Sequence, residues 1–461
     1  MLWYWSLLIL CLAAPRLRAY DGRFALALSS WRPSFFAMRA SATATELFEQ
    51  SWSRAGISTS ANSVSHQVFP SLCDGELKGL GALRGFDKEG VEVIKLPRPC
   101  VLAVSSSDAS PVTGISEAVW QKLKLTTRLS VLLLLQWSLK EQSPLFAYLQ
   151  QLPEPGLEGF STPFHWSSQA ISRLASAYPS LANSVLKQRK DYATLYASLE
   201  GVLSIRGVSY ERFVWALEAV RSRAFTGLGG MDESPQKSFL PAGLFAAAAM
   251  TAAVGIANTN GGGELAPAIL ATAATLSLVP FVLNAKKESC VLLPAIDSAN
   301  HASTKFNCKI AFEPAADAFL LRSTGLIPPG AELLISYGDR DNDDLLQYFG
   351  FVEADNAQDR YVLDVERTGT LSPIVVNRRD RSTWTIPDDV KAQDIKPLLQ
   401  KELQAVVDEM DRHRNRDGEN AAKEAGEGAD ESQKRVDCLL TSFLQSKRET
   451  LQCALHLLEG V

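Results

Sequence analysis

Apolar positions recur along this chain with two different periods, and the switches between them mark its elements. Residues 75 to 104 (GELKGLGALRGFDKEGVEVIKLPRPCVLAV) alternate Gly-rich turns with short β-branched and apolar stretches, which predicts strands joined by tight turns. From 120 to 152 the period becomes helical: Leu125, Leu129, Leu132, Leu133 and Leu139 supply an apolar face, and Pro153 closes the segment. The same spacing predicts helices over Trp166–Leu174, Ser184–Leu199 and Tyr210–Phe225. Residues Cys290 to Val365 read again as strands and turns, and a helix is predicted over Asp389–Met410. Leu439, Leu440, Phe443, Leu444, Leu451, Leu455 and Leu458 then describe a closing amphipathic helix. Between those last two helices, residues 411 to 435 are almost wholly polar and read as a solvated, flexible loop.

Two stretches stand outside this pattern. Leu2 to Ala14 is an uncharged apolar run that fits a signal-peptide h-region, although the usual positive n-region is missing; Ala19 is a small residue placed to end a cleavage site. Arg23 to Thr45 carries Arg23, Arg32 and Arg39, is rich in Ser and Ala and has no acidic residue, the composition of a transit peptide. Residues 1–45 therefore read as a targeting segment, and its two parts resemble the address of plastids acquired from another alga. A secreted protein or a single membrane anchor is the alternative. A short amphipathic helix, Glu46 to Gly56, follows.

The second stretch is 239–285. Phe239–Ala257 and Leu265–Ala285 are Ala-rich and charge-free, and they flank the polar turn Asn258–Glu264. Each is near the ~20 residues that cross a bilayer as a helix, with Lys237, Lys286 and Lys287 on one side. Pro241, Pro267 and Pro280 interrupt them, so a membrane hairpin, a pair of soluble packed helices and a surface excursion all stand open. In each case the segment is expected to project from the core, away from the site.

Charge and cysteines narrow the function. The net charge is −5, from 46 basic and 51 acidic residues, which gives no sign of a nucleic-acid surface. Seven cysteines are scattered without a CxxC pair, so neither a metal knot nor a disulfide framework is signalled, and no metal is expected. The length of 461 residues suggests two or three domains.

The chemistry-bearing segment is LLPAIDSANHAS, residues 292–303, followed by GLIPPGAELLISYGDRDNDDLLQYFGFVEADN, residues 325–356. A strand runs into an Asn-His pair; later come a Pro-Gly turn, a strand ending Ser-Tyr-Gly, and a helix-like LLQYFGF. Together these resemble the C-terminal half of a SET domain. Four further segments match the Rubisco large-subunit lysine methyltransferase branch in order: KGLGALRGFDKEGVEVIKLP, SPLFAYLQQLP (143–153), PFHWS (163–167) and FVWALEAVRSRAF (213–225). The resemblance covers residues 46 to 365 well and 366–461 loosely. It implies an α+β fold: a β-rich SET core over 46–365, split by a helical insertion at about 120–225 and carrying the Ala-rich hairpin, with a shortened helical C-terminal substrate-binding domain over 366–461.

It also implies an S-adenosylmethionine-dependent protein-lysine N-methyltransferase. Lys78, Gly79, Leu80 and Gly81 would form a turn bringing main chain against the cofactor. Asn300 and His301 would bind it, and Phe351, in a Phe349-Gly350-Phe351 that stands where the family has Tyr-Gly-Phe, would lie against its adenine. Tyr337 is the expected catalytic residue, holding methyl and amine in line. Asp297 would lie in the substrate cleft and fix Arg221 or Arg223, with Arg223 taken as the cleft residue, because a buried charge needs a partner. Asn342 would cap the next helix. A protein substrate is implied, with Rubisco large subunit and plastid aldolase as candidates by analogy. A histidine-directed methyltransferase and a non-catalytic SET-fold binding module are the alternatives.

Overall fold

The computed structural model describes residues 57–59, 63–71, 73, 75–226, 288–364, 372–423 and 431–459. The expected targeting segment 1–45, the expected helix Glu46 to Gly56 and the Ala-rich stretch 239–285 lie outside the described residues. Among the described residues no helix is long and apolar enough to cross a membrane.

Strands come in two groups around a helical insertion. Before it lie β1 (Ser58–Thr59), β2 (Val64–Ser71), β3 (Gly75–Ala82), β4 (Glu92–Pro97) and β5 (Leu102–Ser105). After it lie β6 (Phe225–Thr226), β7 (Ser289–Leu292), β8 (Asn300–His301), β9 (Cys308–Glu313), β10 (Ala318–Ser323), β11 (Leu334–Ile335), β12 (Arg360–Leu363) and β13 (Ile374–Asn377). They form small sheets that bring distant sequence together: β1-β4-β10-β9, β5-β7-β6, β2-β3, β12-β13, and the parallel pair β8-β11. β10, AFLLRS, sits between β9 and β4 and is buried on both faces, hence its continuous apolar run.

The insertion consists of α1 (Glu117–Lys122), α2 (Leu125–Ser138), α3 (Ser168–Ala177), α4 (Pro179–Leu203) and α5 (Tyr210–Arg223). Their starts follow local chemistry. Ser116, Ser167 and Ser209 cap α1, α3 and α5 by accepting from Val119, Ala170 and Arg212 amides, and Pro179 occupies the first position of α4. This explains PFHWS: Ser167 is a cap, and the buried Trp166 donates its indole N–H to Ser161 O at 3.0 Å.

Two long helices close the chain, α6 (Ala392–Lys423) and α7 (Glu431–Glu459). The expected polar loop over 411–435 is corrected here: α6 runs on to Lys423, and α7 begins at Glu431. The extension is polar, so no apolar period betrays it; Arg412 instead pairs with Glu409 one turn back at 2.7 Å. A second correction is covalent. Cys73, between β2 and β3, is disulfide-bonded to Cys438 on α7, with Cα atoms 5.6 Å apart; a bridge spanning 365 residues leaves no spacing motif to read.

Among the described residues there are two hydrophobic cores. One joins the strands on either side of the insertion to α1, α2 and α5. The other is shared between the insertion and the end of the chain, for example Trp166, Leu174, Tyr178, Tyr361, Leu440 and Phe443. At its edge lies a buried ion cluster. The fully buried Lys447 ammonium donates to Asp359 Oδ1 and Arg360 O, both at 2.7 Å, and lies 2.6 Å from Asp343 Oδ1. Burial pulls this lysine's pKa down, but the two carboxylates outweigh it and hold the ammonium above its usual range. Burial likewise pushes Asp359 up, and Lys447 overrides it, keeping the carboxyl below its usual range.

Removing one member should therefore leave uncompensated charge. Lys447→Met is expected to destabilise the protein by about 3–5 kcal/mol at pH 7.5, by the penalty typical of breaking a buried pair. Denaturant unfolding measures this, and a loss below about 1 kcal/mol would show that the cluster does not secure α7.

Candidate active site

β3 lies along one wall. It pairs with β2 in the register Gln67↔Gly79 and Ser65↔Gly81, so Gly79 and Gly81 share a face. The expected turn at Lys78–Gly81 is thus a strand interior. These glycines are required by close approach. A Cβ at Gly79 would lie 2.5 Å from Asn300 Nδ2 and 2.7 Å from Glu332 Oε1, and one at Gly81 would strike the Gln67 side chain. Leu80, between them, points into the core, and its carbonyl accepts from Leu333 N at 2.8 Å. Lys78 has an exposed side chain and contributes its carbonyl, which accepts from Asn300 Nδ2 at 3.0 Å.

The Asn300 amide also donates to Glu332 Oε1 at 2.7 Å, tying β3, β8 and the approach to β11 together. Burial raises the pKa of the Glu332 carboxyl, against the Asn300 bond that lowers it. Parallel pairing sets Leu334 beside Asn300 and Ile335 beside His301. Tyr337 follows two residues after β11. Its main-chain N–H donates to His301 Nδ1 at 3.0 Å, its hydroxyl donates to Ala299 O at 3.0 Å, and its ring stacks on His301 at 5.0 Å. Phe349 also stacks on Tyr337 at 5.0 Å, while Phe351 lies 6.1 Å from the His301 ring. Burial pushes the Tyr337 phenol up to about 12, so at neutral pH it is a hydrogen-bond donor. His301 is held below its usual pKa by burial, with Glu353 opposing and Arg340 adding to the effect.

Asp297 forms the floor. The chain enters it through Ala295, held at φ +75°, a strained conformation for a residue with a Cβ. The Asp297 carboxylate accepts from the Tyr148 hydroxyl at 2.5 Å, and its main-chain carbonyl accepts from Arg223 Nη1 at 3.1 Å. Of the two expected arginines, Arg223 is therefore the partner, through the main chain; Arg221 lies 3.9 Å over the Tyr348 ring. Burial pushes the Asp297 carboxyl up to about 6, against the pull of Arg223 and the Tyr148 bond.

Asn342 is corrected from its expected role. Asp341 caps the turn, accepting from Asp344 N at 2.8 Å, while the buried Asn342 is bonded to the main chain of Glu353 and to Ser446 on α7. Three contributors escaped sequence reasoning: Glu332, Glu353 and the hydroxyl of Tyr148. Tyr148 stood inside a quoted signature without a role, and no spacing distinguishes the two glutamates from surface acids. Taken together, a half-buried phenol donor, a neutral imidazole and stacked aromatic rings form a site suited to orienting and desolvating a reacting group.

Solved structures share this architecture. The chain is similar to the SET domain of LSMT bound to lysine and AdoHcy, with 15% identity and a TM-score of 0.55 over 90% of this chain and 91% of that one. It is similar to Rubisco LSMT bound to sinefungin and monomethyllysine, with 15% identity and a TM-score of 0.54 over 91% and 92%. The SET domain of LSMT bound to methyllysine and AdoHcy gives 15% and 0.53 over the same shares. No protein-family model and no curated protein matches the sequence. The chain has the α+β fold of these SET domains.

The Asp297 pair yields a pH-dependent expectation. A carboxyl held near 6 when folded, against ~3.9 unfolded, lowers stability as pH rises from about 4 to about 6. Tyr148→Phe removes a bond that favours the ionised form, so it should cost about 1–3 kcal/mol at pH 8 and less at pH 5. Denaturant unfolding at both pH values checks this; equal losses would mean that Asp297 does not titrate in that window.

Proposed function

We propose that this protein is an S-adenosylmethionine-dependent protein methyltransferase that methylates lysine on a plastid protein. The observation that carries the reading is Tyr337: a half-buried tyrosine whose phenol is fixed by Ala299 O and by the His301 ring, at the junction of β8 and β11. The similar structures hold lysine or methyllysine together with AdoHcy or sinefungin, which supports the same pair of ligands here.

The residues present fit such a cofactor. Glu332 is a half-buried acceptor for a cationic group, Asn300 supplies an amide, the main chain of Lys78 to Gly81 runs alongside, and Phe351 offers a flat apolar face for a purine. When bound, the cofactor supplies an electrophilic methyl group on a sulfonium. The chain's own task is to deliver a neutral amine in line with that methyl and to keep water out. An apolar channel favours the neutral amine over the ammonium, which otherwise has a pKa of ~10.4. The Tyr337 hydroxyl orients the reacting groups by hydrogen bonding and stays protonated throughout. Asp297 and Arg223 shape the cleft beside it. The composition of residues 1–45 supports delivery to a plastid, where Rubisco large subunit and aldolase are the substrates suggested by the resemblance.

Purified enzyme, labelled cofactor and plastid extract, with modified residues mapped by mass spectrometry, test the reading. Label on lysine is expected; label confined to histidine, or none at all, overturns it. Tyr337→Phe should lower kcat by one to three orders of magnitude, about 1.4–4 kcal/mol of barrier, with cofactor affinity little changed. Asn300→Ala should abolish cofactor binding in calorimetry while the fold is kept, because it removes the amide that holds Glu332 and the Lys78 main chain at the site.

A further inference from the structure

His301 is oriented by what lies on both sides of its ring. Its side chain is fully buried, with 0% exposure. On one side Nδ1 accepts from Tyr337 N–H at 3.0 Å, so that nitrogen must present a lone pair and the single proton of the neutral ring must sit on Nε2. On the other side Nε2 faces Glu353 Oε2 at 3.8 Å, and neither buried atom has a hydrogen-bond partner among the described residues. A buried N–H and a buried carboxylate oxygen thus face one another.

The carboxylate is not free to turn away. Glu353 Oε1 accepts from Ser303 N at 3.0 Å, two residues beyond His301. The Glu353 main chain is locked from both ends by one side chain: its N–H donates to Asn342 Oδ1 and its carbonyl accepts from Asn342 Nδ2, each at 3.0 Å. Asn342 in turn donates to Ser446 Oγ on α7 at 2.7 Å. The opposite tautomer would set an Nδ1–H against the Tyr337 N–H, with the Ile335 carbonyl as the acceptor it would have to share, and would turn a lone pair toward the Glu353 carboxylate.

We infer that Glu353 is a positioning residue that holds His301 in its Nε2–H tautomer and thereby fixes the main chain and phenol of Tyr337. This rests on the proposed methyl transfer for its catalytic consequence, and on geometry alone for the tautomer. A glutamine at 353 has one acceptor oxygen where two donors, Ser303 N–H and His301 Nε2–H, must be met, so it cannot replace the carboxylate. An aspartate keeps both oxygens on a shorter stem.

The test uses the full chain labelled with ¹⁵N-histidine. There are five histidines, and a His301→Asn spectrum assigns the signal by subtraction. The parent is expected to show the Nε2–H form at His301, Glu353→Gln a mixture with the Nδ1–H form, and Glu353→Asp a spectrum nearer the parent. In turnover, Glu353→Gln should lose about tenfold or more in kcat while KM for S-adenosylmethionine moves by less than about twofold, and Glu353→Asp should recover part of the loss, as for other residues that orient a functional histidine. The groups facing the ring are Glu353, Arg340 and Tyr337. Removing the one carboxylate among them lowers the imidazole pKa, so the ¹⁵N shifts of His301 should titrate at lower pH in Glu353→Gln. A glutamate that does not face the ring would leave that titration where it is. A parent ring in the Nδ1–H form, or a Glu353→Gln variant with the parent's tautomer and kcat, overturns the inference. If Glu353→Gln does not fold, the tautomer and kcat of Glu353→Ala, which has neither oxygen, decide it: parental values for both overturn the role. If the parent transfers no methyl group, the functional reading falls, and the tautomer comparison still decides what Glu353 does.

Discussion

A parallel pairing of two residues with two residues cannot hold itself together, and the position of Tyr337 depends on one. β8 and β11 are too short for their own ladder to be stable. Side chains do what the ladder cannot. The Asn300 amide reaches Lys78 O and Glu332, and Asn307 bonds to both sides of Leu333, donating to Glu332 O at 2.8 Å and accepting from Leu334 N at 2.9 Å. The His301 ring then takes the Tyr337 N–H. The polar residues here are fasteners of the backbone first, and this is why so much chemistry falls on so few positions.

The fastening extends outward to the end of the chain. Asn342 connects the segment after Tyr337 to Ser446 on α7, and the next residue along that helix, Lys447, is the centre of the buried ion cluster. The disulfide from Cys73 reaches the same helix from the β2–β3 side. α7 therefore braces the site from two directions, although no residue of it enters the cleft residues described above.

How much of this was legible in the sequence depends on the kind of signal. The helix at Tyr210 could be read to within a few residues, because periodicity reports burial directly. The helical segment expected over 120–152 is instead broken at Leu123–Lys124 between α1 and α2, and α2 ends at Ser138. α6 could not be followed past Met410, since a polar helix has no period to see. Ordered motifs singled out Asn300, His301 and Tyr337, and the structure brings these three together. Gly79 and Gly81 were singled out as part of a turn, whereas in the structure they lie in a strand and make room for side chains from β2, β8 and the approach to β11. Glu332 and Glu353 were invisible. A carboxylate's partner across thirty or more residues is set by tertiary packing, and nothing local records it.

The second core has a consequence for how the molecule comes into being. Trp166, Leu174 and Tyr178 are made early, yet the surfaces that cover them, Leu440 and Phe443, lie on α7, far later in the chain. During translation the insertion must wait with an uncovered apolar face until α7 has been synthesised. Long-range closure of this kind is slow and exposes sticky surface while it is pending. A nascent chain of this protein is thus a natural client for chaperones, and a message truncated before α7 would yield a product fit for degradation.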